Sequence, residues 1–338
     1  MKYFSKLIQF LITMLISSVG IYLFFSDGYT IDEFLLALDN IKVVYIAIPI
    51  LLLMLSVYFR AYRWKLFFND EDNTEIYFLF KSEFIGYFAN NILPFRMGEV
   101  LRAIIVSDKY KISKAYVFGT IIIERLFDIF TALFLGLIVL LFLPLDILVE
   151  NLFKFNFLEN KDIVYALIII LFLMILPVIV SAIIYKYINK DSENSIIKFV
   201  VKIFSSFNNL DKTKILPIIV SSLIIWTIYW LDVYFISLAF DKELISLTLL
   251  DSMLVLVGST IGLAIPSLPG SWGTFHLGID ILLNKVYLFE QVSRKNFIMV
   301  LHLYGFITYT LCGFIYFFTV DFNKVITNLI GFRKNEKD

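Results

Sequence analysis

Six stretches of this chain, residues 7–25, 43–59, 115–143, 163–187, 215–240 and 297–320, are apolar over roughly the 20 residues that a helix needs to cross a bilayer core. In lipid such a segment has one low-energy form, because no water is present to pair its backbone N–H and C=O groups and only a helix pairs them internally. The chain is therefore read as an all-α polytopic membrane protein with about six full transmembrane helices. Composition agrees: 60% of the residues are hydrophobic and 17% charged, more apolar than a water-soluble domain tolerates. The first run follows Lys2 and Lys6 as a signal peptide would, but it continues without a small-residue cleavage site and is read as a retained anchor. Net charge is zero, which gives no bulk field for nucleic acid. The single cysteine, Cys312, lies within an apolar run and has no partner in the chain for a disulfide.

Basic residues set the expected orientation. Lys2 and Lys6, Arg60 to Lys65, Lys109 to Lys114, the stretch from Lys186 to Lys214 and the last fifteen or so residues hold most of the 29 Lys and Arg. The alternate loops are richer in Asp and Glu, so the positive-inside bias places both termini in the cytoplasm of a multi-pass plasma or inner membrane protein. Richness in Phe, Ile, Lys and Asn suggests a bacterial source. Residues 195–210 carry apolar side chains at helical spacing with Lys198 and Lys202 on the other face, which predicts an interfacial amphipathic helix within a cytoplasmic linker, residues 188–213.

Two apolar segments do not read as ordinary spans. Residues 76–107 are interrupted at Leu93-Pro94-Phe95-Arg96-Met97-Gly98, and residues 247–284 at Leu268-Pro269-Gly270-Ser271-Trp272-Gly273. Proline removes a backbone donor and clashes with the preceding turn, so each segment is predicted to be a pair of short helical arms forming a re-entrant or broken hairpin. The shared Leu-Pro-x-x-x-Gly pattern, entered from opposite sides of the membrane, predicts an inverted repeat with halves at residues 43–143 and 215–320 inside a single domain. In such a repeat, interrupted helices point to a substrate site near the midplane. The expectation is that the two hairpins meet tip to tip around a cavity.

Ionisable groups at membrane depth are costly unless paired or wetted, which makes each one a candidate. Arg96, Glu99 and Arg102 are three residues apart in turn, so a helix starting after Pro94 puts them on one face, with an excess positive charge beside a helix N-terminus that suits phosphate. Glu124, Arg125 and Asp128 place two carboxylates and a guanidinium on the third span. They serve either as charge partners and a proton-coupling site or as an ion network that only fixes packing. Arg60, Arg63, Trp64 and Lys65 end the second span, where the ordinary role is anchoring at the headgroup level and the alternative is capture of anionic headgroups. Asp232 is a lone acid needing a partner. Asn91 lies just before the first break, while Trp272, Thr274 and His276 follow the second. No zinc-protease, Cys-x-x-Cys, Walker or nucleophile-elbow signature is present, and two separate histidines with one cysteine give no zinc site, so no catalytic residue, metal or cofactor is expected.

Taken together, Arg60-x-x-Arg63-Trp64, Asn91-Ile92-Leu93-Pro94-Phe95-Arg96-x-Gly98-Glu99-x-x-Arg102, Glu124-Arg125-x-x-Asp128 and Pro266-x-x-Pro269-Gly270-x-Trp272-Gly273-Thr274-Phe275 resemble the lysylphosphatidylglycerol synthase transmembrane, or flippase-like, family. That family includes the membrane part of the multiple peptide resistance factor, which flips aminoacylated phospholipid. The resemblance covers nearly the whole chain. It implies a lipid translocase without the soluble aminoacyl-transferase domain, with functional positions at Arg96, Glu99, Arg102, Trp272 and Thr274 and at Glu124, Arg125 and Asp128; the first five, with Arg63 and Asn91, are the expected lipid contacts, and the last three are expected to serve charge or proton coupling. Expected partners are membrane phospholipids or polyprenyl lipids, with a homodimer or a lipid-modifying enzyme as candidate protein partners. The competing readings are an accessory subunit that binds a lipid-linked substrate without moving it and a membrane-embedded lysyltransferase.

Overall fold

The structure, a computed structural model, describes residues 2–93, 96–142, 210–264 and 268–320, with residues 197, 200, 201 and 203 between them. All regular structure among these residues is helical. In chain order the helices are α1 (Lys2–Phe25), α2 (Ile31–Leu38), α3 (Val44–Leu66), α4 (Ile76–Ile92), α5 (Met97–Tyr110), α6 (Lys114–Phe142), α7 (Ile215–Leu238), α8 (Leu249–Ala264), α9 (Thr274–Leu282) and α10 (Gln291–Phe317). Three helical stretches, Val44–Leu66, Lys212–Leu238 and Gln291–Phe317, are long and apolar enough to cross a membrane. The 29-residue α6 is longer still, but Glu124, Arg125 and Asp128 lie in its middle. The fourth expected span, residues 163–187, lies outside the described residues, as does most of the linker at 188–213.

Both interrupted segments are helix, break, helix. The first is α4 and α5, with Arg96 at the start of α5 in the left-handed conformation, φ 51°. The second is α8 and α9, joined through a short turn at Pro269–Ser271 and by Gly273 at φ 91°. At about 1.5 Å per residue the 17 residues of α4 and 14 of α5 extend roughly 25 and 21 Å, short of a bilayer core.

Two compact units are formed from discontinuous segments: Met1–Met54, Thr131–Leu173 and Trp226–Thr308 in one, and Leu55–Phe130, Met174–Ile225 and Tyr309–Asp338 in the other. The second unit contains the first hairpin. Its core gathers Ala61, Trp64, Phe67, Phe68, Leu79, Val106, Val117, Ile121 and Ile218. Glycine lets its backbones touch: a Cβ on Gly98 would run into the Gly86 carbonyl, and one on Gly313 into the Phe84 carbonyl. Lipid gives helices no hydrophobic reason to associate, so close packing across such small residues supplies much of the attraction.

The first unit contains the second hairpin. Gly258 and Gly262 stand one turn apart on α8, and a Cβ on Gly262 would sit 3.0 Å from the Thr274 carbonyl of α9. Helix α1 covers the break: Ser17 Oγ accepts the Leu268 N–H at 2.7 Å, and Gly20 is close enough to Gly273 that a Cβ would meet its backbone at 2.8 Å. Towards its end, α1 is tied to α10, where the buried Lys295 ammonium donates to the Phe24 carbonyl at 2.5 Å and Tyr29 Oη donates to Asn296 Oδ1 at 2.7 Å. Asp232 finds its partner within this unit, accepting from Tyr304 Oη at 3.3 Å.

Candidate functional site

In the second unit, four helices bring eight ionisable side chains into one network of ion pairs. Arg60 and Arg63 stand three apart on α3 and face Glu124 and Asp128, which are four apart on α6, so helical periodicity alone aligns two cations with two anions. Arg60 donates through Nη2 to Glu124 and through Nη1 to Asp128 at 3.2 Å. Arg63 Nη2 donates to Asp128 Oδ1 at 2.6 Å, and its Nη1 to Ser222 Oγ at 2.8 Å. Arg102, from α5, places one nitrogen 2.7 Å from both Glu124 Oε2 and Glu83 Oε1. Glu83, on α4, also lies 3.6 Å from Arg60 Nε.

Burial changes the meaning of these contacts. Arg60, Arg63, Arg102, Glu83 and Glu124 are all at most 3% exposed. Removing such an ion from water costs several kcal/mol, which only close, multiply shared pairing offsets. Aromatic faces add to it: the Arg102 guanidinium stacks 4.2 Å over Trp64, whose Nε1 donates to Thr120 Oγ1 at 2.9 Å, and Arg60 lies 5.7 Å over Tyr87. Headgroup anchoring, the ordinary expectation for Arg60 and Arg63, requires exposed cations and does not describe these two.

From this core the network grades outward. Asp128 is 13% exposed, Glu99 17% and Arg125 36%, and Arg96 is exposed. Distances lengthen in the same direction: Arg125 lies 3.7 Å from Glu99 and 3.5 Å from Asp128. Arg96 is within electrostatic reach of both Glu99 and Arg125. The result is a buried interior of close ion pairs and a looser rim at the hairpin break that contains two guanidinium groups and one carboxylate.

The sequence candidates divide accordingly. Arg63, Arg102, Glu124, Asp128 and Arg125 share the network, while Arg96 and Glu99 form its rim. Arg102 and Glu99 face different partners, Glu83 and Glu124 for the first and Arg125 for the second. Asn91 donates to Thr310 Oγ1 at 3.0 Å. Neighbouring Asn90 closes the break instead, its Oδ1 accepting the Gly98 N–H at 2.7 Å. Trp272 and Thr274 belong to the first unit: Trp272 stacks on His276, with centroids 5.1 Å apart, and Thr274 Oγ1 donates to the Ser271 carbonyl at 3.4 Å. His276 and His302, separate in sequence, meet at 4.6 Å between ring centroids and are ringed by Phe24, Trp272, Phe275 and Phe306. No cluster of three metal-ligating side chains occurs among the described residues.

Glu83 is absent from the sequence-derived candidates, although an acid inside the apolar run from Phe78 to Phe88 meets the same cost as Glu124. Ser222 and Tyr87 carried no signal, because an apolar helix accommodates either without pairing.

Comparison with known proteins gives a consistent result. The family model described as the lysylphosphatidylglycerol synthase TM region matches residues 7–315. The UPF0104 membrane protein MJ1078 of Methanocaldococcus jannaschii is 28% identical over 258 residues, covering 74% of this chain and 99% of that relative. No solved structure matches.

Proposed function

Since the chain belongs to the lysylphosphatidylglycerol synthase TM region family, we propose that it is a lipid translocase of the cell membrane that binds a phosphate-bearing headgroup at the first hairpin and carries it across while the tails stay in lipid. The observation that carries this reading is the graded network on α3, α4, α5 and α6. Charges placed in apolar helices at such cost mark a pathway or binding site by default. The rim at Arg96 and Arg125 offers planar guanidinium donors, which match phosphate oxygens in pairs, beside the positive end of α5. In this reading both hairpins are re-entrant, the two halves form an inverted repeat, and both termini are cytoplasmic.

Reconstitution tests it. Purified protein in liposomes should accelerate headgroup translocation of a fluorescent phosphatidylglycerol or polyprenyl phosphate, and Arg96→Ala should abolish the acceleration at unchanged protein level. Unaccelerated translocation across an anionic and polyprenyl lipid panel would remove the proposal. Binding without translocation would leave an accessory lipid-binding subunit.

A further inference from the structure

Among the described residues four acids are buried: Glu83, Glu124, Asp232 and Asp280. Three of them are paired with arginine at 2.7 Å, Glu83 and Glu124 with Arg102 and Asp280 with Arg294. Asp232 has no such partner. It is 0% exposed inside α7, its Oδ1 has no hydrogen-bond partner, and its Oδ2 accepts from Tyr304 Oη at 3.3 Å. That is long for a hydroxyl on a charged carboxylate, which closes to about 2.5–2.7 Å. Asp251 in the same unit shows the close arrangement, accepting from Thr248 Oγ1 at 2.6 Å and from the Thr248 N–H and Tyr287 Oη at 2.8 Å. The titratable groups that face Asp232 are Tyr304 from α10 and, beyond it, Tyr229 of α7. Helix α7 carries no basic residue, and the basic groups of α10 are engaged elsewhere: Arg294 with Asp280, Lys295 with the Phe24 carbonyl and Asp27, His302 with the Gly270 carbonyl. An ionised carboxylate so placed loses far more solvation than one hydroxyl returns, so it takes up a proton and stays neutral.

Resting on the translocase reading above, we propose that Asp232 is the proton site of the transporter, a neutral acid that releases its proton to water at one membrane face and takes one from water at the other during each cycle. One O–H bond breaks and one forms per turnover, and no other co-reactant is needed. The ionic network is unsuited to this task. Protonating Glu124 would take the shared anion from Arg60 and Arg102 and leave buried guanidinium charge behind. A sodium ion fits Asp232 no better, because such ions draw on the freed carbonyls of unwound helix. Helix α7 runs unbroken from Ile215 to Leu238 and leaves one carboxyl and one hydroxyl at the site.

Proteoliposomes test the coupling, with fluorescent phosphatidylglycerol started evenly in both leaflets, a pH difference imposed and the potential clamped by valinomycin. A difference of about one pH unit can skew the lipid between leaflets by about tenfold per coupled proton. Wild-type protein should develop an asymmetry that reverses with the gradient. Asp232→Asn keeps the shape and fixes the neutral state, so it should melt at the wild-type temperature and still exchange lipid, but leave the leaflets even. An acid that only packs predicts that the variant keeps the asymmetry. That result, or an even distribution in a wild type that exchanges lipid, overturns the proton site and leaves the translocase standing. A wild type that exchanges no lipid of the panel above removes both. Infrared spectroscopy of wild-type protein in an ester-free maltoside detergent needs no variant: at neutral pH it should show the C=O stretch of a protonated carboxyl, shifting in heavy water. Absence of that band overturns the proposal whether or not Asp232→Asn folds.

Discussion

The first hairpin, α4 and α5, and the second, α8 and α9, are broken by the same Leu-Pro-x-x-x-Gly pattern and are closed by glycine at a backbone contact, yet they are filled with opposite chemistry. Around the first, Arg60, Arg63 and Arg102 are bound to Glu83, Glu124 and Asp128. Around the second, Trp272 stacks on His276 while His302 and Phe306 meet these rings edge-on, and the imidazole atoms His276 Nε2 and His302 Nδ1 are buried without hydrogen-bond partners. A broken helix frees backbone groups and admits polar atoms, but it does not dictate which ones. The backbone plan common to both hairpins is a way of making a gap in an apolar helix, and the side chains decide whether that gap handles charge.

The largest expected effect breaks the ionic side of this comparison. Arg102→Ala leaves Glu83 and Glu124 without the nitrogen they share, two buried carboxylates facing each other. Loss of one member of such a network costs about 3–5 kcal/mol, so thermal unfolding in detergent should show a large fall in Tm or a loss of monodisperse protein. Adding Glu83→Gln to that variant removes the carboxylate left with one distant partner, Arg60 at 3.6 Å, and should restore part of the loss. Wild-type melting for Arg102→Ala would show that the cluster is not a mutually dependent network.

Next come the glycines. A Cβ at Gly98 meets the Gly86 carbonyl and Asn90, and one at Gly273 meets the Ser17 carbonyl of α1. Overpacking of this kind costs about 1–3 kcal/mol at either place. Gly273 sits at φ 91° as well, a conformation that adds about 1–3 kcal/mol of backbone strain for any other residue. Gly273→Ala should therefore lower Tm more than Gly98→Ala does. Translocation should show the reverse order, because spreading α4 from α5 moves Arg102 relative to Glu83, while the ion pair of the second hairpin, Asp280 with Arg294 at 2.7 Å, lies seven residues along α9 from Gly273. Equal loss of transport in both would place the second break on the pathway too.

Sequence made the two breaks legible because Leu-Pro-x-x-x-Gly inside an apolar run removes a backbone donor and, within about one turn, a side chain. It made Arg96, Glu99, Glu124 and Asp128 legible because charge in such a run is expensive. Pairing was not legible. Arg60 contacts Glu124 and Asp128 across more than sixty residues, and nothing in one sequence distinguishes a guanidinium at a helix end that anchors to headgroups from one that neighbouring helices enclose. Asp232 was visible as an acid needing a partner, but Tyr304 as that partner was not, since tyrosine near a helix middle has many ordinary uses. The contact between His276 and His302 was hidden for a similar reason: each is a single polar residue in an apolar stretch, and only folding brings them within 4.6 Å.

The smallest expected effect sharpens the aromatic side. His276 is 2% exposed, stacks on Trp272 at 17° between planes, and leaves Nε2 unpartnered. A buried polar atom without a partner contributes its desolvation cost and no compensating bond, so replacing it with an apolar ring of similar shape is close to neutral or mildly stabilising. His276→Phe should keep the stack with Trp272 and Phe24 and change stability by less than about 1 kcal/mol, as read from Tm. Headgroup translocation should also persist, because the oxyanion chemistry is assigned to the other hairpin. A variant that melts normally but no longer translocates lipid would mean that the unpartnered imidazole meets something polar during the cycle, and the division of labour between the two hairpins would have to be redrawn around His276.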